Sequence, residues 1–348
     1  MGPIRGLRRK RKIEKVVDQN AALSSLPYQP ESLDWWDHFS KRITGPSSQL
    51  KDLPKFESVL KISRKTFNYI CSLVKEEMMA RPANFTDLNG KLLSLNDRVA
   101  IALRRLSSGE SLSAVGDLLG INQSTVAQIT WRFVEAMEAR GLHHLRWPST
   151  EAEMKEIKSK FERIRGLCLP NCCGSLSDSL VLKSSTFFKL SEEGKRLNGE
   201  KVKISEGTEL REFIVGDLGF PLLPWLLTPY QGDSLTDSQA NFNKQLSATR
   251  MVAQRALARL KETWRIIQGV MWRPDKNRLP RIILVCCLLH NIVIDLEDEV
   301  RDEMSLSHRH DSAYRQQVCE SGDDSASILR DKLSLYLFGR LPSIDSST

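Results

Sequence analysis

The sequence has no apolar run approaching the roughly 18–20 residues that cross a bilayer, and its longest, Ile282 to Leu289, is of core length. The N-terminus is basic with no apolar stretch behind it, so no secretory signal and no membrane association are expected. A complete metal-binding cysteine pattern is also missing. Of seven cysteines, Cys168, Cys172 and Cys173 have a spacing that could begin a ligand set, yet no second pair and no His-x3–5-His stands nearby. The expectation is reduced thiols packed in cores or loops of an intracellular chain, not a zinc site or a disulfide framework.

What is present is enough for two ordinary domains: 348 residues, 41% of them hydrophobic. The net charge of +8 suggests nucleic acid, but its placement weakens that reading. Residues 1–15 hold seven basic groups against Glu14, a balance of +6, which leaves only +2 for the rest. The uninterrupted run Arg8, Arg9, Lys10, Arg11, Lys12 reads as a nuclear address, or as a phosphate-binding arm.

Along the chain, residues 1–30 read as a disordered tail. A helix is expected around Asp34-Trp35-Trp36-Asp37-His38-Phe39, and the apolar spacing from Phe56 to Met79 predicts another. From Leu95 to Met137 the pattern is more specific. Asn96 or Asp97 is expected to cap a helix that Gly109 stops; a short helix, Leu112 to Leu119, ends at Gly120; and Asn122 opens a third helix. Val115, Ile121 and Val126 are placed to lock the last two together, a helix-turn-helix pattern spanning 95–138. Its second helix is expected to offer Gln123, Ser124, Thr125, Gln128 and Arg132 outward, where polar side chains can bond phosphates or base edges. Against tight DNA binding, residues 97–140 hold five basic and five acidic groups, so the electrostatic contribution is weak.

A charged amphipathic helix is expected beyond the domain's close at Trp147-Pro148, with Met154, Ile157, Phe161 and Ile164 facing in. From Arg211 a short apolar strand leads to Asp217 and a Gly/Pro turn. An acid at a strand's exit can hold one of the hard cations that flank a scissile phosphate. A polar loop follows, then a helix from Ser247 to Arg265 carrying Arg250 and Gln254, then an apolar helix containing Leu288-Leu289-His290-Asn291. His290 reads as a satisfied core residue, His143-His144 as helix-end groups, and Trp225 and Trp264 as core aromatics.

These segments resemble the DDE transposases of the PIF/Harbinger superfamily, and most closely the domesticated plant group of Antagonist of Like Heterochromatin Protein. The resemblance runs from the basic cluster through Asp34-Trp35-Trp36 and the helix-turn-helix to Leu288-Leu289-His290-Asn291-Ile292. Gly174 to Ser179, with Asp178, is similar to the family's Gly-Ser-x-x-Asp-Ser motif, and Asp217 to its second catalytic aspartate. Asp178 is a weak metal-ligand candidate and reads better as a helix-capping acid. The resemblance implies a fold that is mainly α with a small β component. It comprises an N-terminal helical domain with a helix-turn-helix (31–150) and a truncated RNase H-like α/β domain (151–300), followed by a C-terminal tail (301–348).

Two departures stand out. The family's catalytic glutamate falls at Gln254, whose neutral amide is a poor ligand for a hard cation. Glu262 cannot replace it, because eight residues of helix is about 12 Å. In addition, Pro170-Asn171-Cys172-Cys173-Gly174 runs straight into Ser175, so a segment on the order of forty residues, with the first aspartate and the central strands, is expected to be absent. Strand 213–215 is then expected to lose its pairing partners. The active family uses Mg²⁺ or another divalent metal; this chain is expected to bind none functionally, since one carboxylate cannot assemble a two-metal site. The resemblance implies a nuclear protein with chromatin, Polycomb-type or Myb-like protein partners. The alternatives are a metal-dependent DDE endonuclease, a hydrolase acting on DNA, and a helix-turn-helix DNA-binding factor.

Overall fold

The computed structural model describes residues 33–45, 54–80, 85–145, 178–199, 201–205, 207–268, 277–296, 318–319 and 322–339, with a few isolated positions besides. The basic run at 8–12, the cysteines at 168, 172 and 173, the helix expected at 154–164 and the junction at 174–175 lie outside them.

Helix α1 (Leu33–Thr44) buries Trp36 and Phe39, while Trp35 stacks on Phe67 at 5.2 Å and donates its indole N–H to Asp97 Oδ1 at 3.1 Å. The helical spacing read from Phe56 to Met79 is in fact two helices, α2 (Phe56–Leu60) and α3 (Arg64–Met79). Lys61 turns left-handed between them, and the Ser63 hydroxyl accepts the Thr66 N–H. A serine able to satisfy an orphan helix donor starts a new helix where apolar periodicity alone sees continuity.

Helix α4 (Leu95–Ser108) is capped two residues before the expected Asn96 and three before Asp97. Ser94 is the cap, its side chain accepting the Asp97 N–H while the Asp97 carboxylate accepts the Ser94 N–H. Gly109 ends the helix left-handed at φ 69°, and a Cβ there would sit 2.8 Å from the Arg265 carbonyl oxygen. Helices α5 (Leu112–Leu119) and α6 (Gln123–Arg140) fall where the sequence places them, with Val115, Ile121 and Val126 buried at their junction.

Helices α7 (Asp178–Lys183) and α8 (Thr186–Glu192) open the second half. The strands are short: β1 (Val202–Ser205) pairs antiparallel with β2 (Thr208–Leu210), and β3 (Ile214–Val215) pairs parallel with β4 (Leu226–Leu227). The expectation that 213–215 loses its partners is therefore corrected in part. The Ile214 N–H donates to Trp225 O and the Gly216 N–H to Leu227 O, both at 2.9 Å, because a tight turn at Leu223–Leu226 folds the chain back. Among the described residues there is no wider sheet.

Helix α9 (Asp237–Thr263) begins well before Ser247, within the stretch read as a polar loop. Thr236 and Gln239 form a capping box there, and Phe242 and Leu246 are buried. Helix α10 (Leu279–Leu296) extends beyond Ile282–Leu289 at both ends, and at 18 residues with mean hydropathy 1.9 it is long and apolar enough by composition to cross a membrane. It is instead a core helix. Val285, Cys286, Leu288, Leu289 and Ile292 are fully buried in one cluster with Phe67, Leu103 and Phe133 of the first helices. One face of the helix is packed in this way, while Ile283 and Ile294 are 41% and 40% exposed. The sequence boundary at 150 thus does not divide the cores, since α10 and Trp264 complete the N-terminal one.

Within the stretch read as a C-terminal tail lies helix α11 (Asp324–Phe338), started by the Asp323 carboxylate accepting the Ser325 and Ala326 N–H groups. Ala326 and Leu333 pack with Tyr230, Phe242 and Leu246, and the Arg330 guanidinium donates to the Thr228 and Pro229 carbonyls while lying 4.0 Å over the Tyr230 ring.

Candidate functional site

Asp217 stands two residues beyond β3, where the Gly216 N–H donating to β4 fixes the chain's exit. Its carboxylate is mostly buried, and both oxygens are occupied. Oδ1 accepts the Gly219 N–H at 3.0 Å, closing the turn after the strand, and Oδ2 accepts a hydrogen bond from Arg250 Nη2 at 3.0 Å. Arg250 projects from α9, which packs against β3. A guanidinium therefore neutralises the acid.

Gln254 lies one turn further along α9 and is exposed. Asp178 is the first residue of α7, consistent with the helix-start reading; its side chain is outside the described residues. Among the described residues no three His, Cys, Asp or Glu side chains stand together as a metal site. A hard divalent ion needs several oxygen ligands, and one carboxylate held by an arginine does not fit it.

The proposed nucleic-acid face is separate. Gln123, Ser124 and Gln128 are exposed near the start of α6, Thr125 is half-buried, and the Asn122 side chain makes no capping hydrogen bond. Arg132 is not offered outward as expected: it is half-buried, with its guanidinium 4.8 Å over the Phe85 ring. An aromatic face beside a cation that can shed part of its hydration draws it in. The neighbouring cations are spent likewise. Arg98 is buried and donates to Leu93 O, Arg104 pairs with Glu110, and Arg140 pairs with Glu76 and Glu77. Phosphate neutralisation, the main source of non-specific affinity, has little to draw on here.

Two features escaped sequence reasoning. The first is a relay across three elements. The Tyr69 hydroxyl and His144 Nε2 are 2.8 Å apart, His144 Nδ1 is 3.6 Å from Asp295, and the Asn291 side-chain amide donates to the His144 carbonyl at 2.8 Å. Burial and the Asp295 charge push the Tyr69 pKa up. His144 is thus more than a helix-end group, but nothing in the sequence brings positions 69, 144 and 295 together. The second is Trp131, whose ring lies 4.8 Å from the Arg278 guanidinium and 4.4 Å from that of Arg281, while Arg281 also grips the Glu138 carboxylate. His290 is buried as expected, yet its Nδ1 has no hydrogen-bond partner among the described residues, and burial with nearby Arg259 lowers its pKa to about 4.

Comparison with known proteins places this arrangement. The family described as DDE superfamily endonuclease matches residues 167–291. An Arabidopsis thaliana protein named ALP1-like is 55% identical over 361 positions, covering 89% of this chain and 87% of that protein. This chain belongs to the ALP1-like family. A second relative, Antagonist of Like Heterochromatin Protein 1 of Arabidopsis thaliana, is 41% identical over 368 positions, covering 90% of this chain and 92% of its own length. Human HARBI1, whose name describes a candidate nuclease, is 24% identical over 256 positions, covering 59% of this chain and 69% of its own. No solved structure matches significantly.

The alignment lengths carry a further fact. The ALP1-like alignment runs over 361 positions, while 89% of 348 residues is only about 310, so about fifty positions face no residue of this chain. The excess recurs with the second relative, 368 positions against about 313, and with human HARBI1, 256 against about 205. An ALP1-family chain of this length is thus shorter within its aligned span than relatives at three levels of similarity, by about the size of the segment expected to be absent after Gly174.

Proposed function

We propose that this chain is a transposase descendant that no longer cuts DNA and works in the nucleus by binding chromatin proteins, of Polycomb type or Myb-like. The observation that carries the reading is the Asp217–Arg250 pair: the acid at the strand exit has both oxygens engaged, and the side chain one turn along α9 is the neutral Gln254. The name of the second relative, an antagonist of a heterochromatin protein, supports the chromatin role, and the basic run at 8–12 supports the nuclear location. The missing segment falls, in this reading, between Gly174 and Ser175 and takes the first aspartate with it.

The test has two arms. Purified protein with Mg²⁺ or Mn²⁺ and supercoiled or terminal-repeat DNA gives no cleavage; cleavage abolished by Asp217→Ala would establish the nuclease reading instead, which the endonuclease family description favours. Affinity purification of the tagged chain from plant nuclei recovers chromatin proteins, and their absence sinks the binding role.

A second reading, sequence-specific DNA binding through α6, is favoured by the exposed Gln123, Ser124 and Gln128 beside the uncommitted Asn122 side chain. It predicts salt-dependent DNA binding that Gln128→Ala weakens; no binding at low salt ends it.

A further inference from the structure

Helix α11 packs one face on Tyr230, Phe242 and Leu246, yet its opposite face is apolar too. Ile328, Leu335 and Phe338 are 57%, 64% and 41% exposed. Spacings of seven and three residues put them along one side of a helix, the spacing of a seam between paired helices. Isolated surface leucines need no explanation, but three large apolar side chains aligned on one short helix form an interaction surface.

The charges on that face identify what covers it. Asp331 and Lys332 lie between Ile328 and Leu335, are both exposed, and are each held in place: the Tyr230 hydroxyl donates to Asp331 Oδ1 at 2.7 Å, and Lys332 Nζ donates to Thr208 Oγ1 at 2.8 Å. Consider a second α11 laid antiparallel about a two-fold axis passing between 331 and 332. Ile328 then meets the partner's Leu335, and Leu335 the partner's Ile328. Asp331 meets the partner's Lys332, and Lys332 the partner's Asp331. Phe338 meets the partner's Ser325, so the bulky ring faces a small side chain. Every contact repeats across the axis, as a closed symmetric pair requires. A parallel arrangement would set Asp331 against the partner's Asp331 and Lys332 against the partner's Lys332.

We propose that α11 is a self-association surface, and that its occupant is the α11 of a second copy of this chain, antiparallel, with Ile328–Leu335 contacts flanking reciprocal Asp331–Lys332 pairs. The seam is short, about 22 Å of helix, so the dimer is weak and concentration-dependent. The inference is independent of the chromatin reading, since it rests on α11 alone.

Sedimentation velocity of the full chain across the micromolar range tests it, with thermal unfolding followed by circular dichroism to confirm that each variant folds. The wild type passes from monomer to dimer. Leu335→Glu weakens the dimer more than about tenfold, and Ile328→Glu does the same should the first variant fail to fold. Asp331→Lys also weakens it by setting like charges across the axis, and adding Lys332→Asp restores it. That rescue separates the interface from the bond to Tyr230, which stays lost in the double variant. A protein monomeric throughout the range, a dimer indifferent to Leu335→Glu, or a charge reversal that the second substitution does not rescue overturns the proposal.

Discussion

Arg250 holds Asp217 by a 3.0 Å hydrogen bond from α9 to the end of β3, and Gly219 takes the other carboxylate oxygen. The pair ties a helix to a strand of only two residues, whose own ladder is too short to fix it. The acid expected to be a relic of catalysis is thereby a structural fastener.

If so, Asp217→Ala costs stability. The lost ion pair and the orphaned, half-buried Arg250 together predict about 1–3 kcal/mol in urea unfolding. Adding Mg²⁺ or Mn²⁺ should leave the midpoint of the wild type unchanged. A metal-dependent rise in stability that Asp217→Ala removes would show that the carboxylate binds the ion after all.

Gln254→Glu places a carboxylate on α9 one turn beyond Arg250 and changes nothing else. No DNA cleavage is expected from this variant in Mg²⁺ or Mn²⁺, because Asp217 remains engaged and two carboxylates do not complete a two-metal site. Cleavage by the single variant would falsify the inactive reading.

His290 gives the fold a pH dependence of definite sign. Burial keeps its imidazole neutral down to about pH 4, against 6.5 ordinarily. As pH falls from about 6.5 towards 4, the unfolded chain takes up a proton that the folded chain refuses, so stability is lost through that window, by roughly 3 kcal/mol at its lower end. Unfolding curves between pH 4 and 7 check this, and His290→Leu should flatten the profile at this site.

The clasp of Arg281 on Glu138, with Arg281 also over Trp131, joins α10 to α6. Glu138→Ala is expected to cost about 1–2 kcal/mol, and Arg281→Ala more, because it also strips the indole face. Double-mutant analysis separates the two parts; a zero coupling energy rejects the clasp.

Gly116 is the tightest point of the α5–α6 turn, where an added Cβ would stand 2.6 Å from the Ile121 carbonyl oxygen. Gly116→Ala should lower the melting temperature measurably, since backbone cannot yield as a flexible side chain can. An unchanged melting curve would mean that the turn relaxes freely.

Much of the N-terminal half was legible because its signals are local. Gly109, Gly120 and the apolar periods of α5 and α6 act over a few residues, and the helices end where those residues stand. Boundaries slipped where two local signals competed, as at Ser63, which splits one apolar pattern into two helices, and at Thr236, whose capping box recruits a polar stretch into α9. Helix α11 carries no single amphipathic stripe, because apolar residues occupy two of its faces.

The sequence alone determined which groups are on hand. Gln254 is an amide wherever it lies, and Gly174 is followed directly by Ser175. Only the tertiary structure decided what the surviving groups do. Asp217 meets Arg250 across 33 residues, Arg281 meets Glu138 across 143, and Tyr69 meets His144 across 75, separations at which no helical or strand period operates. Those pairings follow from which apolar faces must be buried together, above all from α10 entering the N-terminal core, and burial of that kind is a property of the whole chain.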